Sequence, residues 1–101
     1  MDTRNSLVDL IKSYELGLRR LGVQHLALFG SRARGDAVEG SDLDVLIELG
    51  HAGDRVANGR AALEVSGKLS AITGLDICLV EKRSVTPEFA QRMRDDLVEV
   101  F

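Results

Sequence analysis

The sequence predicts an α/β (α+β) fold, a small mixed sheet of three to four strands with helices packed on it. Three short apolar runs of strand length alternate along the chain with segments whose apolar residues recur every three or four positions. The 101 residues, of which 45% are hydrophobic, can form one ordinary core. We therefore expect a single domain over residues 1–101.

The first helix and the first strand are predicted before residue 30. Apolar residues follow one helical face through residues 7–21, where Tyr14 is expected in the core and Gly22 ends the helix. Residues 25–29 are mostly apolar, too few for a typical helix and followed by Gly30. This run predicts a buried strand.

A turn and a second strand come next. Residues 30–41 include three glycines, two serines and several charged side chains, which predicts a turn with room for one short helical segment. Residues 42–49 then alternate between two faces of a strand. This alternation places Asp42 and Asp44 on the same side.

A loop that contains Gly50, Gly53 and Gly59 comes next, and its end overlaps the start of a second helix. This helix is predicted from the apolar positions Val56, Ala57, Leu63, Leu69 and Ile72. Gly74 follows the last apolar position of that helix. Because glycine readily adopts the left-handed conformation that ends helices, Gly74 is the expected stop.

The last third of the chain predicts a third strand and a capped helix. The strand covers residues 75–80, where Cys78 lies in an apolar run and is expected to be a core residue. Thr86 and Pro87 together are typical of a helix start. Residues 97–101 fit either a last helical turn or an edge strand.

Charge and hydropathy exclude several classes of function. The net charge of -3 lacks the basic excess that drives binding to phosphate backbones, so no direct nucleic-acid binding is expected. Charged residues interrupt the apolar positions of residues 1–20, so neither a signal peptide nor a membrane span is expected there. These features predict a cytoplasmic protein that does not insert into membranes.

Several polar residues of the predicted strands suggest chemistry. Aspartate is disfavoured inside strands, so Asp42 and Asp44 need a reason to be there, although a strand with one wet face would show the same alternation. Asp76 lies near the start of another strand, and carboxylate oxygens are the ligands that Mg²⁺ selects. Gly30 and Ser31 form a turn whose amides and hydroxyl can hold phosphate oxygens.

The spacing of these residues resembles the signature of the DNA polymerase beta-like nucleotidyltransferase superfamily. That signature is a hydrophobic residue, Gly-Ser, a spacer, and then Asp-hydrophobic-Asp. Here it reads Phe-Gly-Ser at residues 29–31, a spacer at residues 32–41, and Asp-Leu-Asp at residues 42–44. The resemblance implies the polymerase beta-like fold.

The longer pattern is similar to the minimal nucleotidyltransferase branch of that superfamily. Residues 30–36 read Gly-Ser-Arg-Ala-Arg-Gly-Asp, and residues 41–44 read Ser-Asp-Leu-Asp. Residues 75–80 match the place of the third carboxylate in that branch. The resemblance covers most of the chain.

The resemblance implies transfer of a nucleotide with two magnesium ions. Asp42 and Asp44 would hold both ions, and Asp76 would bind the ion that activates the attacking hydroxyl and could accept its proton. The Gly30 and Ser31 amides would hold the outer phosphates of ATP, the nucleotide donor.

Two arginines in the turn are further candidates for phosphate binding. Arg32 and Arg34 could each meet the triphosphate or an acidic surface of a partner, or could be solvated loop charges. Arg32 is favoured for phosphate because it adjoins Ser31.

The resemblance also implies a partner. Small members of this branch are paired with a helical ribonuclease toxin of the HEPN class, which implies an antitoxin that adenylylates a toxin tyrosine and forms a hetero-oligomer with it. An alternative is a non-catalytic antitoxin that neutralises its partner by binding alone. A third possibility is a purely structural module with a wet strand face.

Overall fold

A computed structural model of the protein describes residues 3–51 and 54–101. Within these ranges helices and strands follow one another as a mixed α/β chain, with a 3-10 turn at Lys82–Ser84. In chain order the elements are α1 (Thr3–Lys12), α2 (Glu15–Arg20), β1 (Val23–Phe29), α3 (Gly30–Arg34), β2 (Leu43–Leu49), α4 (Arg55–Thr73), β3 (Ile77–Glu81), α5 (Pro87–Met93) and β4 (Val98–Glu99). Among the described residues, none of the helices combines the length and apolar character that crossing a bilayer requires.

The strands form one sheet in the order β3-β2-β1-β4. Strand β1 runs antiparallel to both β2 and β4, whereas β2 and β3 are parallel. Helix α4 makes the crossover that a parallel pair needs. This mixed sheet of four strands confirms the predicted fold class.

One face of the sheet carries the core. Along β2 the buried and half-buried positions alternate strictly, as the sequence pattern predicts. The buried side chains of β1 and β2 pack with those of the helices; the fully buried members include Ile11, Leu18, Leu26, Leu28, Leu43, Val45, Ile47, Val65 and Leu69. The packing of the helices therefore fixes the sheet from one side.

The opposite face, which we call the open face, has only a partial cover. Helix α5 covers the end of β1, where Phe89 packs edge-to-face on Phe29 with ring centroids 5.8 Å apart and Met93 is buried. Thr86 caps this helix by accepting a hydrogen bond from the Phe89 amide at 3.2 Å, and Pro87 is its first residue, as predicted. Beyond α5 the face remains accessible.

The first helix differs from its prediction. The structure breaks it at Ser13 and Tyr14, and the Ser13 hydroxyl bonds the Leu10 carbonyl, a local bond that competes with helix continuation. The break rotates Tyr14 out of the core, so the expectation of a buried tyrosine is wrong: the side chain is 42% exposed. Its ring instead lies 5.7 Å from the Lys68 ammonium.

The remaining boundaries agree with the sequence in most places. Helix α4 begins early enough to include Gly59, which was expected in the preceding loop, while Gly53 of that loop lies outside the described residues. Gly74 ends α4 in the left-handed conformation with φ 71°, as predicted. The C-terminal segment forms the edge strand β4, so the helical alternative is excluded.

Candidate active site

The turn after β1 places a helix start beside a carboxylate. Gly30 has φ +76°, a backbone conformation that favours glycine, and begins α3 immediately after the extended residue Phe29. A Cβ atom at Gly30 would strike Asp44 Oδ2 and would lie 3.0 Å from its Cγ. The absence of a side chain at Gly30 is therefore what lets the Asp44 carboxylate lie against this turn.

The first amides of α3 suit an anion. The first N–H groups of a helix have no acceptor within it, and the capping residue Phe29 has no side-chain oxygen to supply one. Ser31 is half-buried in this first turn, and its carbonyl accepts from the Gly35 and Asp36 amides at 2.9 and 3.0 Å. The predicted short helical segment is confirmed, and it presents the Gly30-Ser31 backbone at the end of β1.

Asp42 and Asp44 lie together at the start of β2. Asp44 is half-buried on the open face, and Asp42 is exposed one residue before the strand, with buried Leu43 between them. Burial is the main cause that raises the pKa of Asp44, and the charge of Asp42 raises it further. A hydrogen bond with the Cys78 thiol and the charge of Arg34 act in the opposite direction.

The backbone of Asp76 lies beside the start of β2, but its side chain does not join those of Asp42 and Asp44. It immediately precedes β3, and its carbonyl accepts a hydrogen bond of 2.8 Å from the Leu43 amide, between the two other aspartates. Over residues 3–51 and 54–101, no group of three or more Asp, Glu, His or Cys side chains is arranged to hold a metal ion. The structure thus pairs Asp42 with Asp44 and brings Asp76 to the neighbouring strand without joining the three carboxylates.

The donor set nevertheless fits a hard cation. Two carboxylates from one strand end supply the oxygen ligands that Mg²⁺ prefers. The mutual repulsion that raises the pKa of Asp44 is what a bound cation would relieve. Asp42 and Asp44 are the residues that would hold it, beside the Gly30 turn.

The two arginines of α3 both have partners within the protein. Arg32 donates from Nε and Nη2 to the Ser41 carbonyl at 3.2 and 2.8 Å, and so ties α3 to the residue before Asp42. Arg34 forms ion pairs with Asp36 at 3.0 Å and with Asp96 at 2.9 Å.

These contacts define what each arginine does in the free protein. Arg32 fixes the entry to β2, and Arg34 links α3 to the segment before β4. Their predicted contacts with phosphate stay predictions.

Cys78 lies in the site, although the sequence interpretation assigned it to the core. It is exposed, because it is opposite Asp44 in the β2–β3 pairing and therefore faces the open side of the sheet. Burial and the nearby Asp44 carboxylate both raise the pKa of its thiol. Its two-residue spacing from Asp76 was the sequence signal that could have found it.

The topology and this arrangement of a glycine turn with paired aspartates define a nucleotidyltransferase domain. The model of the family described as "Nucleotidyltransferase domain" matches residues 11–100, and the chain belongs to this family. The protein adenylyltransferase MntA of Thermococcus cleftensis is 30% identical over 101 residues, which are 99% of this chain and 98% of the relative. The chain is accordingly a nucleotidyltransferase of the minimal branch.

Solved structures share the fold. A crystal structure of a toxin-antitoxin with AMP-PNP has a TM-score of 0.67 and 24% identity, covering 89% of this chain and 72% of that chain. A complex of a tri-AMPylated HEPN toxin with an MNT antitoxin from Shewanella oneidensis has a TM-score of 0.62 and 22% identity, covering 93% and 71%. At these identities the likeness establishes the architecture.

Proposed function

We propose that the protein transfers AMP from ATP to a tyrosine hydroxyl of a cognate HEPN ribonuclease toxin and thereby acts as its antitoxin. The observation that carries the proposal is the Asp44 carboxylate seated against the Gly30 turn, next to Asp42. The name of the Thermococcus cleftensis relative, a protein adenylyltransferase, supports a protein acceptor. The net charge of -3 also favours a protein acceptor over nucleic acid.

The proposed reaction is a displacement at the α-phosphorus of ATP. The tyrosine oxygen forms a bond to that phosphorus, the bond from the phosphorus to the bridging oxygen breaks, and pyrophosphate leaves with the electron pair. Asp76 accepts the phenolic proton and passes it to water. Asp42, Asp44 and Asp76 would hold two magnesium ions, which would offset phosphate charge and lower the pKa of the hydroxyl.

The turn residues have binding roles in this proposal. The amides of Gly30 and Ser31 hold the outer phosphates at the start of α3 and offset charge on pyrophosphate. Arg34, whose charge lowers the pKa of Asp44, is near enough to add to that field. Arg32 contributes by holding the Ser41 carbonyl and, through its remaining N–H groups, by contact with phosphate.

The proposal extends to the form in which the protein works. A single domain over residues 1–101 supplies the metal and triphosphate half of the site, and the toxin brings the hydroxyl, so the active species is a hetero-oligomer. We place this complex in the cytoplasm, where ATP and magnesium are present together.

An antitoxin that acts by binding alone is the second candidate. The observation that favours it is the position of the Asp76 side chain, which does not complete a three-carboxylate group in this structure. Under this alternative the ribonuclease would be neutralised whether or not the aspartates are intact.

Transfer of label separates the two candidates. The chain is incubated with α-labelled ATP, magnesium and the helical protein encoded in the neighbouring gene, beside an Asp42→Asn plus Asp44→Asn variant. We expect label on the partner with wild type only, and none when the acceptor tyrosine is changed to phenylalanine. If wild type leaves the partner unlabelled while the double variant still blocks its ribonuclease activity, binding alone is the function.

A further inference from the structure

The open face of the sheet continues from the candidate active site as ordered rows of side chains. Asp44 is paired with Phe29 across β1 and β2, and the next pair on the same face is Leu46 with Ala27. The pair after that is Glu48 with His25. Because alternate residues of a strand face the same side, these three rows are contiguous.

The second and third rows form a groove of about 300 Å³. Its floor is Leu46 and Ala27, and the small side chain of Ala27 leaves a depression between its larger neighbours along β1. Leu97 and Phe101, from the C-terminal segment, line one side. Leu97 is 37% exposed, so the groove presents apolar surface to solvent.

The rim of the groove is polar. Glu48 Oε2 lies 3.9 Å from His25 Nε2 and 3.8 Å from Lys82 Nζ. The Lys82 side chain is 63% exposed and can lie over a ring that rests on the floor. An apolar floor with a charged rim suits an amphipathic aromatic group such as a phenol.

The groove and Asp44 are separated by one step along the strands. Two residues along a strand span about 6.6 Å, so the Leu46 row is one such step from the Asp44 row. The hydroxyl of a tyrosine extends from the far end of its ring. A ring resting on Leu46 and Ala27, with its long axis along the strands, would therefore point its hydroxyl toward the Asp44 row.

We propose that this groove holds the ring of the acceptor tyrosine, and that Ala27, Leu46 and Leu97 determine acceptor specificity. The inference rests on the proposed function, because it assigns the acceptor side of the same site. It commits to the acceptor because the Leu46–Ala27 row of the groove is next to the Asp44 row on the same face of the sheet, whereas the triphosphate is assigned to the Gly30 turn at the end of β1.

The first test measures binding without turnover. Isotope-labelled full-length chain with magnesium and AMP-PNP is titrated with N-acetyltyrosinamide, and backbone amide shifts are followed by NMR. We expect saturable shifts at the amides of Ala27, Leu46 and Glu48. Ala27→Val should weaken the affinity for the tyrosine analogue about tenfold. Leu63→Ala, an apolar truncation on α4 at a residue that is 76% exposed, should leave this affinity unchanged. The assignment would be wrong if the tyrosine analogue caused no shifts in the groove. It would also be wrong if AMP-PNP alone caused those shifts, because the groove would then bind adenine.

The second test uses the partner protein. Leu97→Ala and Ala27→Val should raise the KM for the partner about tenfold and leave Mg²⁺-dependent AMP-PNP affinity unchanged, with Leu63→Ala again matching wild type. Leu97 is exposed, so Leu97→Ala is not expected to disturb folding. It therefore tests the groove even if Ala27→Val misfolds.

The two tests separate this inference from the proposed function. If wild type labels the partner and both groove variants do so equally well, the groove assignment is wrong and the function stands. If wild type never labels the partner, the proposed function fails, and the amide shifts alone then decide whether the groove binds a phenol.

Discussion

Two features of the structure require glycine at residue 30: its left-handed backbone conformation and the close approach of the Asp44 carboxylate. Gly35, at the end of the same short helix, also has positive φ, at +87°, but nothing lies within 4 Å of a Cβ built there. A comparison of alanine variants at Gly30 and Gly35 therefore separates the effect of backbone strain from the effect of displacing the Asp44 carboxylate.

Gly30→Ala should destabilise the protein more than Gly35→Ala does. Gly35→Ala meets only the cost of a left-handed non-glycine residue, about 1–2 kcal/mol, whereas Gly30→Ala also drives Asp44 from its place. Urea unfolding gives the stabilities, and titration with Mg²⁺ and AMP-PNP should show binding lost in Gly30→Ala and kept in Gly35→Ala. Equal behaviour of the two variants would show that Asp44 does not depend on the Gly30 turn.

The charge of Asp44 is unfavourable in the folded protein. Its pKa is raised by burial and by Asp42, so its ionised form is disfavoured in the folded protein. The resulting destabilisation is present above the folded pKa of Asp44 and is relieved as the pH falls through that value.

Asp44→Asn should accordingly stabilise the metal-free protein at neutral pH. We expect Tm to rise, because asparagine at this position carries no charge to be desolvated or repelled by Asp42. Thermal unfolding in EDTA at neutral and at acidic pH measures it, and the gain over wild type should shrink at acidic pH. A variant that is less stable than wild type at neutral pH would contradict this account of the Asp44 environment.

At the scale of elements, α4 contains interior glycines at positions where no close contact requires the absence of a side chain. Gly67 lies in the helix, and nothing lies within 4 Å of a Cβ built there, whereas Gly74 ends α4 with φ +71°. Gly67→Ala should therefore stabilise the protein by about 0.5–1 kcal/mol through reduced unfolded-state entropy and better helix propensity. Gly74→Ala should destabilise it by about 1–2 kcal/mol, because alanine is strained there.

Urea unfolding of these two variants, with helix content followed by circular dichroism, checks the prediction. A loss of stability in Gly67→Ala would mean that the α4 surface is in contact with something other than solvent.

The elements themselves follow largely from local sequence signals. Gly22, Gly74 and Pro87 mark helix boundaries that the structure keeps, because their backbone preferences act within a few residues. The break at Ser13 and Tyr14 was missed because the apolar period continues through it. The Ser13 hydroxyl bonds the Leu10 carbonyl at this break, and hydrophobic periodicity does not report such a bond.

At the scale of the whole molecule, spacing predicts part of the site and tertiary contacts decide the rest. Alternation along β2 was enough to put Asp42 and Asp44 on one side. It did not by itself assign Cys78 to the open face, because that follows from the pairing of Cys78 with Asp44 across β2 and β3. The bond from Arg32 to the Ser41 carbonyl likewise has no periodic signal.

The third carboxylate shows a further limit of sequence reasoning. Parallel pairing of β2 and β3 brings Asp76 beside Leu43, but three carboxylates repel one another unless a cation lies between them. We therefore expect the three carboxylates to come together only when a cation is bound, which the sequence of the chain alone does not report.

The proposed function requires that the Gly30 turn and the paired aspartates form a metal-dependent nucleotide site. Calorimetric titration of AMP-PNP into the full chain, with magnesium or with EDTA, measures this requirement. We expect saturable binding with magnesium, and at least about tenfold weaker binding in EDTA or in the Asp42→Asn plus Asp44→Asn variant. Binding of equal strength in EDTA, or unchanged binding by a folded double variant, would contradict it.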